Sequence, residues 1–179
     1  MFRRRGQRML RRMGNPEIPP MLQRANQMMA NGDYLDAADA YTQLAQGAEL
    51  RFPRRAPVLF MEAGRAAILG GQVKNGVENI RRGLTLLTFQ GHTFRAQAFG
   101  QRAIAELRAR NLNAEADEIA ALIGADVQQE TPQPAAVKKP ILPTHCPACG
   151  GAVRPDEVEW LDEITAECSY CGSPVREDE

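Results

Sequence analysis

The sequence predicts a mainly α-helical chain of 179 residues that ends in a small β domain. Two observations predict this fold class. A hinge centred on glycine or asparagine recurs through the first two thirds of the chain, with helical spacing of apolar residues around it, which is typical of antiparallel helical hairpins. The last 36 residues instead contain all four cysteines and a short alternating segment.

Shifts in charge, periodicity and proline content divide the chain into four predicted parts. Residues 1–15 form a basic N-terminal arm, and residues 16–125 form an array of about six helices. Residues 126–143 form a linker, and residues 144–179 form the cysteine-containing domain. We therefore expect two folded units joined by a connecting segment.

The arm at residues 1–15 is basic and contains one acid-free run of arginines. Phe2, Met9 and Leu10 can share a helical face, so the arm can lie on an anionic membrane surface as a peripheral contact. Other interpretations are a nucleic-acid phosphate contact, docking on an acidic protein surface, a solvated tail or a transit peptide. The candidate anion or partner contacts are Arg3, Arg4, Arg5, Arg8, Arg11 and Arg12.

The clearest helical hairpin centres on Gly32. Gly32 and Asp33 end one helix, and Tyr34 begins the next. Ala37 and Tyr41 then place a small and a large side chain on one face of the second helix. Small residues at such positions let two helices approach closely, and large ones fill the space between successive hairpins.

The same frame recurs downstream. Gly71 takes the hinge position of a second hairpin, and Gly76 and Ile80 take the positions of the small and the large side chain. Asn111 marks a third, fainter hinge. The predicted repeat-packing residues are Gly32, Tyr34, Ala37, Tyr41, Gly64, Gly71, Gly76 and Ile80.

This frame resembles the tetratricopeptide repeat, and the resemblance implies an antiparallel helix-hairpin solenoid whose concave side receives a peptide or a partner helix. The hinges lie 39 and 40 residues apart, more than the unit of about 34 residues, so we expect longer loops at 51–57 and 90–93. A plain six-helix bundle is the alternative, because helical periodicity does not separate the two. Polar candidates for partner contact on the first helices are Gln23, Gln27, Arg65, Gln97 and Arg102.

The linker at residues 126–143 contains four prolines and little to bury. This composition predicts a semi-rigid spacer that can hold the cysteine-containing domain away from the array. Two binding modules on one tether favour a connector, because the tether raises the effective concentration of the second contact.

The four cysteines form two C-x-x-C pairs, Cys146/Cys149 and Cys168/Cys171, with 18 residues between them. This spacing is typical of a zinc ribbon. One pair can hold one side of a tetrahedral ion, and a hairpin brings the second pair round to complete the cage. The motifs resemble zinc-ribbon proteins with rubredoxin-type knuckles, and the resemblance implies one structural zinc ion and no particular activity.

Other uses of four cysteines have less support. The chain opens with no apolar signal-peptide core, so we expect free thiolates in a cytoplasmic location rather than disulfides. A thioredoxin-like pair needs a βαβ setting, and four thiolates also accept iron. We interpret His145, next to the first cysteine, as a flanking polar residue, because four sulfurs already complete the cage.

Apolar side chains between the cysteine pairs alternate with glutamates, which predicts a β-hairpin with one face inward. The predicted inward residues are Val158, Trp160, Ile164 and Ala166, and we expect Trp160 to pack on the metal knuckles.

The chain has 22 basic and 22 acidic side chains, which argues against a general polyanion-binding protein. It contains no Ser-His-Asp order, phosphate-cradling glycine loop or helical H-E-x-x-H, so we do not expect an enzyme. We also expect no transmembrane segment. The predicted function is a cytoplasmic adaptor or scaffold that binds unidentified protein partners. The alternative is a nucleic-acid- or transcription-associated protein that uses the basic arm.

Overall fold

The computed structural model describes residues 20–124, 141–155, 157–161 and 164–176. The predicted arm, and the predicted linker up to residue 140, lie outside these residues. Within the described residues the chain forms six α-helices followed by three short β-strands. These elements confirm the predicted mainly α-helical fold with a small β domain near the C-terminus.

Each helix packs against the next one in the chain. Because the connections are short, neighbouring helices run antiparallel and form three successive hairpins, called the array below. The helices are α1 (Pro20–Asn31), α2 (Tyr34–Arg51), α3 (Ala56–Leu69), α4 (Val73–Phe89), α5 (Thr93–Ala109) and α6 (Asn113–Ile123).

The connections after α3, α4 and α5 share one turn geometry. Their central residues Gly71, Gly91 and Asn111 have positive φ angles of 84°, 79° and 62°. In the first of these turns the N–H of Gln72 donates to the carbonyl oxygen of Ala67 at 2.8 Å, and the other two turns repeat this bond. This is the Schellman arrangement, which satisfies the last carbonyl groups of a helix and reverses the chain at once.

The expectation that longer loops lengthen the repeat is wrong. The connections at 52–55 and 90–92 contain four and three residues. The additional length lies in the helices instead, because α2, α4 and α5 contain 17 or 18 residues each. At 90–92 the Schellman turn closes within three residues, so it leaves no loop in which extra residues could be placed.

Helices α3 and α4 approach most closely at Gly64 and Gly76. A β-carbon placed on Gly64 would lie 2.6 Å from the carbonyl oxygen of Gly76, a separation that packed atoms do not adopt. The side chains of Ala37, Tyr41 and Ile80 are buried in the array. Tyr34 is half-buried, and the hinge residues Gly32 and Gly71 are exposed.

Helix α3 lies at the centre of the molecule. Twelve of its 14 residues are buried, which is the expected environment of a helix that is apolar on nearly all sides. Helices α2 and α4 pack on two of its sides. The third side is covered by the cysteine domain, by which we mean the described part of residues 141–176.

The cysteine domain contains a three-stranded antiparallel sheet in the order β1-β2-β3. The strands are β1 (Glu159–Trp160), β2 (Thr165–Glu167) and β3 (Pro174–Arg176). Ala166 in the central strand pairs with Trp160 on one side and Val175 on the other. Both Ala166 and Val175 are fully buried, so the sheet has an apolar inner face.

Two of the predicted inward side chains differ from expectation. Ile164 is 58% exposed, because it precedes β2 in the turn and lies outside the paired register. Trp160 is only half-buried, and its Nε1–H donates to the carbonyl oxygen of Pro155 at 3.4 Å. The deeply buried aromatic residue of this domain is Tyr170, which faces the array rather than the strands.

Candidate metal centre

The four cysteines come together in one buried cluster. Their Sγ atoms all lie within 4.8 Å of one another. The Sγ atoms of Cys146 and Cys171 are 3.8 Å apart, as are those of Cys149 and Cys168. All four thiols are free. Two separate stretches of chain, 19 residues apart at their nearest cysteines, therefore contribute one sulfur pair each to a single site.

The two cysteine pairs occupy turns with the same hydrogen bonds. In the first turn the N–H of Gly150 donates to the carbonyl oxygen of Cys146 at 2.8 Å. In the second, the N–H of Gly172 donates to the carbonyl oxygen of Cys168, also at 2.8 Å. Both glycines have positive φ, near 75°, which glycine adopts without a steric penalty. Each turn thus directs both of its sulfurs to the same side.

The cluster has the dimensions of a metal site. A tetrahedral ion with metal–sulfur bonds of about 2.3 Å places its ligands about 3.8 Å apart, which is the separation found here. A disulfide needs a separation of about 2 Å instead. The N–H of Gly151 points at the Sγ of Cys149 at 3.4 Å, as a donor to a negatively charged sulfur would. The four residues therefore fit a four-coordinate metal ion.

The four thiols titrate as one unit because they contact one another. Hydrogen bonding with Cys149 lowers the pKa of Cys146 to about 6. Contact with Cys146 lowers the pKa of Cys171 and raises the pKa values of Cys149 and Cys168. A shared site of this kind can lose some protons at neutral pH, and a bound cation takes the place of the others.

The first cysteine turn is bonded to helix α1 of the array. The Nδ2 of Asn26 donates to the carbonyl oxygen of Cys149 at 2.5 Å. The Oδ1 of the same amide accepts a hydrogen bond from the hydroxyl of Tyr41 at 2.6 Å. Asn26 is 9% exposed, so the bonds are shielded from water. One amide therefore joins Tyr41, a packing residue of α2, to the backbone of a cysteine turn.

The second cysteine turn inserts Tyr170 against helix α3. The hydroxyl of Tyr170 donates to Oε1 of Glu62 at 2.8 Å. Glu62 is 5% exposed, and its other oxygen lies 3.8 Å from Arg65. Burial, and then the charge of Glu62, raise the pKa of Tyr170 well above its usual value. The hydroxyl therefore stays protonated and satisfies a carboxylate that burial would otherwise penalise.

Charged side chains complete the contact at helix α5. Glu157 is buried in the cysteine domain and forms ion pairs with Arg102 of α5 and with Arg154 of its own domain. Nearby, an Nη of Arg95 donates to the Oγ of Ser169 at 3.1 Å. Burial lowers the pKa of Arg95. Two arginines of the array thus face a carboxylate and a hydroxyl of the cysteine domain.

These contacts place the cysteine domain on the face formed by the first helix of each hairpin, α1, α3 and α5. Two of the predicted partner-contact residues lie in this interface: Gln23 donates to the carbonyl oxygen of Ala148, and Arg102 pairs with Glu157. Arg65 instead pairs with Glu106 within the array. The face on which the resemblance predicts a partner is covered by the chain's own C-terminal domain.

Sequence reasoning missed the residues that join the two units, namely Asn26, Glu62 and Tyr170. A signal for Glu62 was present. Glu62 and Arg65 are the two charged residues of α3, whose remaining residues are apolar or glycine, and a charge in such a helix must find a buried partner. Asn26 and Tyr170 carry no comparable local signal, because their partners in the other unit lie more than 100 residues away.

The other predicted site residues are placed as follows. His145 is exposed, and its Nδ1 lies 3.1 Å from the Oγ1 of Thr144 rather than in the sulfur cluster. Among the described helices, none is long and apolar enough to cross a membrane. The candidate contacts of the arm lie outside the described residues; they are Arg3, Arg4, Arg5, Arg8, Arg11 and Arg12.

The fold and the site define a class of protein: an array of helical hairpins with a docked C-terminal domain that contains a four-cysteine cluster. Comparisons of this chain with protein-family models, with curated proteins and with solved structures found no match.

Proposed function

We propose that this chain is a non-enzymatic adaptor or scaffold whose cysteine domain is folded by one structural zinc ion. The observation that carries the proposal is the buried four-sulfur cluster with hydrogen bonds from its turns to the array. A tetrahedral ion with four protein ligands has no free position for water or substrate. The ion then serves to hold a protein surface in place.

Zinc is the ion that the site supports best. Four thiolates select soft or borderline metals, of which zinc and iron are the main candidates. The 3.8 Å sulfur separation agrees with a zinc–sulfur length of about 2.3 Å. A domain below about 40 residues also needs a metal or a comparable staple to fold. We expect a reducing compartment such as the cytoplasm, where thiolates remain available.

Elemental analysis of the purified full-length chain tests the zinc assignment. We expect about one zinc ion per chain and loss of that ion in Cys149→Ser. The matched control is Pro147→Ala, which changes an exposed residue between two ligands and should keep the metal. Iron at one ion per chain, or zinc retained by Cys149→Ser, would contradict the assignment.

The interaction role is supported by where the cysteine domain lies. It covers the face of α1, α3 and α5 and joins the two units in one surface through hydrogen bonds of Asn26, Glu62 and Tyr170. These buried polar side chains bond to one another and to the backbone across the interface. They do not converge on one point where a substrate atom could react. We infer that partners bind this combined surface rather than the bare helices.

Binding measurements separate this role from the nucleic-acid alternative. We expect cross-linking to the metal-loaded chain to recover a defined protein partner at about 0.15 M salt, and we expect recovery to fall after metal removal. Affinity for RNA or DNA that decreases steeply as salt is added would instead assign the alternative function, because released counterions give that dependence.

A further inference from the structure

The surface contains an apolar groove at the end of the array where α2 ends and α3 begins. The groove has a volume of about 740 Å³. Its apolar walls include Met21, Leu44, Leu50, Phe52 and Leu59 from the array, and Tyr170 from the cysteine domain. Most of the lining residues belong to the array, and Tyr170 of the docked cysteine domain completes the groove.

Several of these side chains face solvent. Leu50 is 90% exposed and Phe52 is 56% exposed, and Met21 at the opposite wall is 37% exposed. Single exposed apolar residues are common, but a contiguous apolar patch on a protein surface marks an interaction site. The concave shape suits a segment of polypeptide, which can place side chains inside it, better than a flat lipid surface.

The margin of the groove is positively charged. Arg51 and Arg55 line it, and among the described residues no acidic side chain does. No ion pair of Arg51 or Arg54 forms within the described part of the chain.

A second cavity of about 380 Å³ adjoins the groove and shares Phe52 and Arg55 with it. Arg54 and Arg95 line this cavity, together with two glutamates of the cysteine domain. Taken with the groove, the surface presents four arginines against two glutamates. A ligand with apolar side chains and adjacent negative charge therefore complements both parts.

We propose that this groove binds an amphipathic segment of a partner protein in which apolar side chains are flanked by aspartate or glutamate. The inference rests on the proposed interaction function and gives the chemistry of the partner. The apolar side chains fill the groove between Leu50 and Tyr170, and the carboxylates meet Arg51, Arg54 and Arg55. A second copy of this surface, or the arginine-rich arm, would bring like charges to the same margin.

Two designed peptides test this proposal with the metal-loaded full-length chain. One peptide has leucines along one helical face and glutamates along the other, and the second has lysine in place of every glutamate. We expect fluorescence anisotropy to show binding of the glutamate peptide at least about tenfold tighter than binding of the lysine peptide.

Matched variants locate the binding site. Leu50→Ser should weaken binding of the glutamate peptide about tenfold, because a leucine side chain is buried on binding. Leu122→Ser, at an exposed leucine in the last turn of α6, should leave it within about twofold. Arg54→Glu should also weaken binding of the glutamate peptide about tenfold. Arg110→Glu, at the opposite end of α5, should leave it unchanged.

Several results would overturn the proposal. Equal affinity for the two peptides would contradict the role of charge. Equal losses of affinity in Leu50→Ser and Leu122→Ser would show that the groove is not the binding site. Self-association that is abolished by Leu50→Ser would assign the groove to a second copy of the chain. Stronger binding to anionic lipid vesicles than to either peptide would assign it to a membrane surface.

The outcome is separable from that of the proposed adaptor function. A partner that is recovered by the wild-type chain and equally by Leu50→Ser would overturn the groove and leave the adaptor function intact. Specific binding of the glutamate peptide without any recoverable protein partner would support the groove and contradict the adaptor function.

Discussion

The array and the cysteine domain of this chain differ in what stabilises each of them. The array packs apolar and small side chains along whole helices, as α3 shows with 12 of its 14 residues buried. The cysteine domain has a small apolar core, and its buried centre consists of four sulfurs. One unit therefore folds by burial of apolar surface, whereas the other has at its centre a cysteine cluster that fits a metal ion, and it is bonded to the first unit.

Metal removal should have the largest effect and tests the comparison directly. Chelation, or Cys171→Ser, should unfold the cysteine domain, since structural zinc contributes on the order of 10 kcal/mol to small metal domains. The array should keep most of its helical circular dichroism, while the near-ultraviolet signal of the buried Tyr170 is lost. Simultaneous loss of both signals would show that the array does not fold by itself.

A substitution in the array should have the converse effect. Gly64→Ala places a β-carbon against the backbone of α4 and should lower the free energy of unfolding of the array by about 1–3 kcal/mol. Zinc content measured in the folded protein should not change.

The matched control for this substitution is Gly47→Ala. Gly47 lies within α2, and a β-carbon there would meet no atom within 4 Å. Alanine should therefore raise the free energy of unfolding by about 0.4–1 kcal/mol, because it restricts the unfolded chain. Thermal denaturation of the two variants should shift in opposite directions, and a shift of the same sign would refute the close packing of α3 on α4.

The contact between the two units can be weakened without disturbing either core. Tyr170→Phe removes the hydroxyl that donates a hydrogen bond to Glu62. It should lower the free energy of unfolding of the cysteine domain by about 1–3 kcal/mol. Tyr34→Phe, at a half-buried position of the array, is the control and should have little effect. Hydrogen exchange of the cysteine-domain amides measures the difference, and equal protection in both variants would contradict the docking contact.

The last prediction is a dependence of stability on alkaline pH. Burial, followed by the charge of Glu62, raises the pKa values of Tyr170 and Tyr41 in the folded protein. Their contribution to stability is therefore fully present below the unfolded-state pKa of about 10. It is lost as the pH rises above that value, by about 1.4 kcal/mol per pH unit for each group. Urea denaturation between about pH 9 and pH 11 should show a shallower decline for Tyr170→Phe than for the wild type.

Much of the fold could be predicted because its determinants are local in the sequence. The hinge at Gly32 or Gly71 stops a helix through its own backbone conformation. The two C-x-x-C pairs hold ligands at a spacing that a single turn can present. Such features leave a recognisable pattern within a few residues, so the sequence indicated both the helical hairpins and the cysteine cluster.

The interface between the two units could not be predicted in the same way. The bond from Asn26 to Cys149 and the bond from Tyr170 to Glu62 join residues 123 and 108 positions apart. Nothing near Asn26 or Tyr170 in the sequence reveals such a pairing. The prediction that Ile164 faces inward was wrong for a related reason, because strand register depends on the partner strands rather than on alternation alone.

The dependence of Glu62 on Tyr170 has a consequence for how the chain is made. Ribosomes extend a polypeptide by about 5–20 residues per second, and early segments begin to fold first. Helix α3 therefore emerges several seconds before Tyr170, and during that interval its apolar flank and the Glu62 oxygen that accepts from Tyr170 are exposed to solvent. Nascent chains halted before residue 141 should consequently recruit chaperones, whereas the completed chain, whose cysteine domain covers α3, should not.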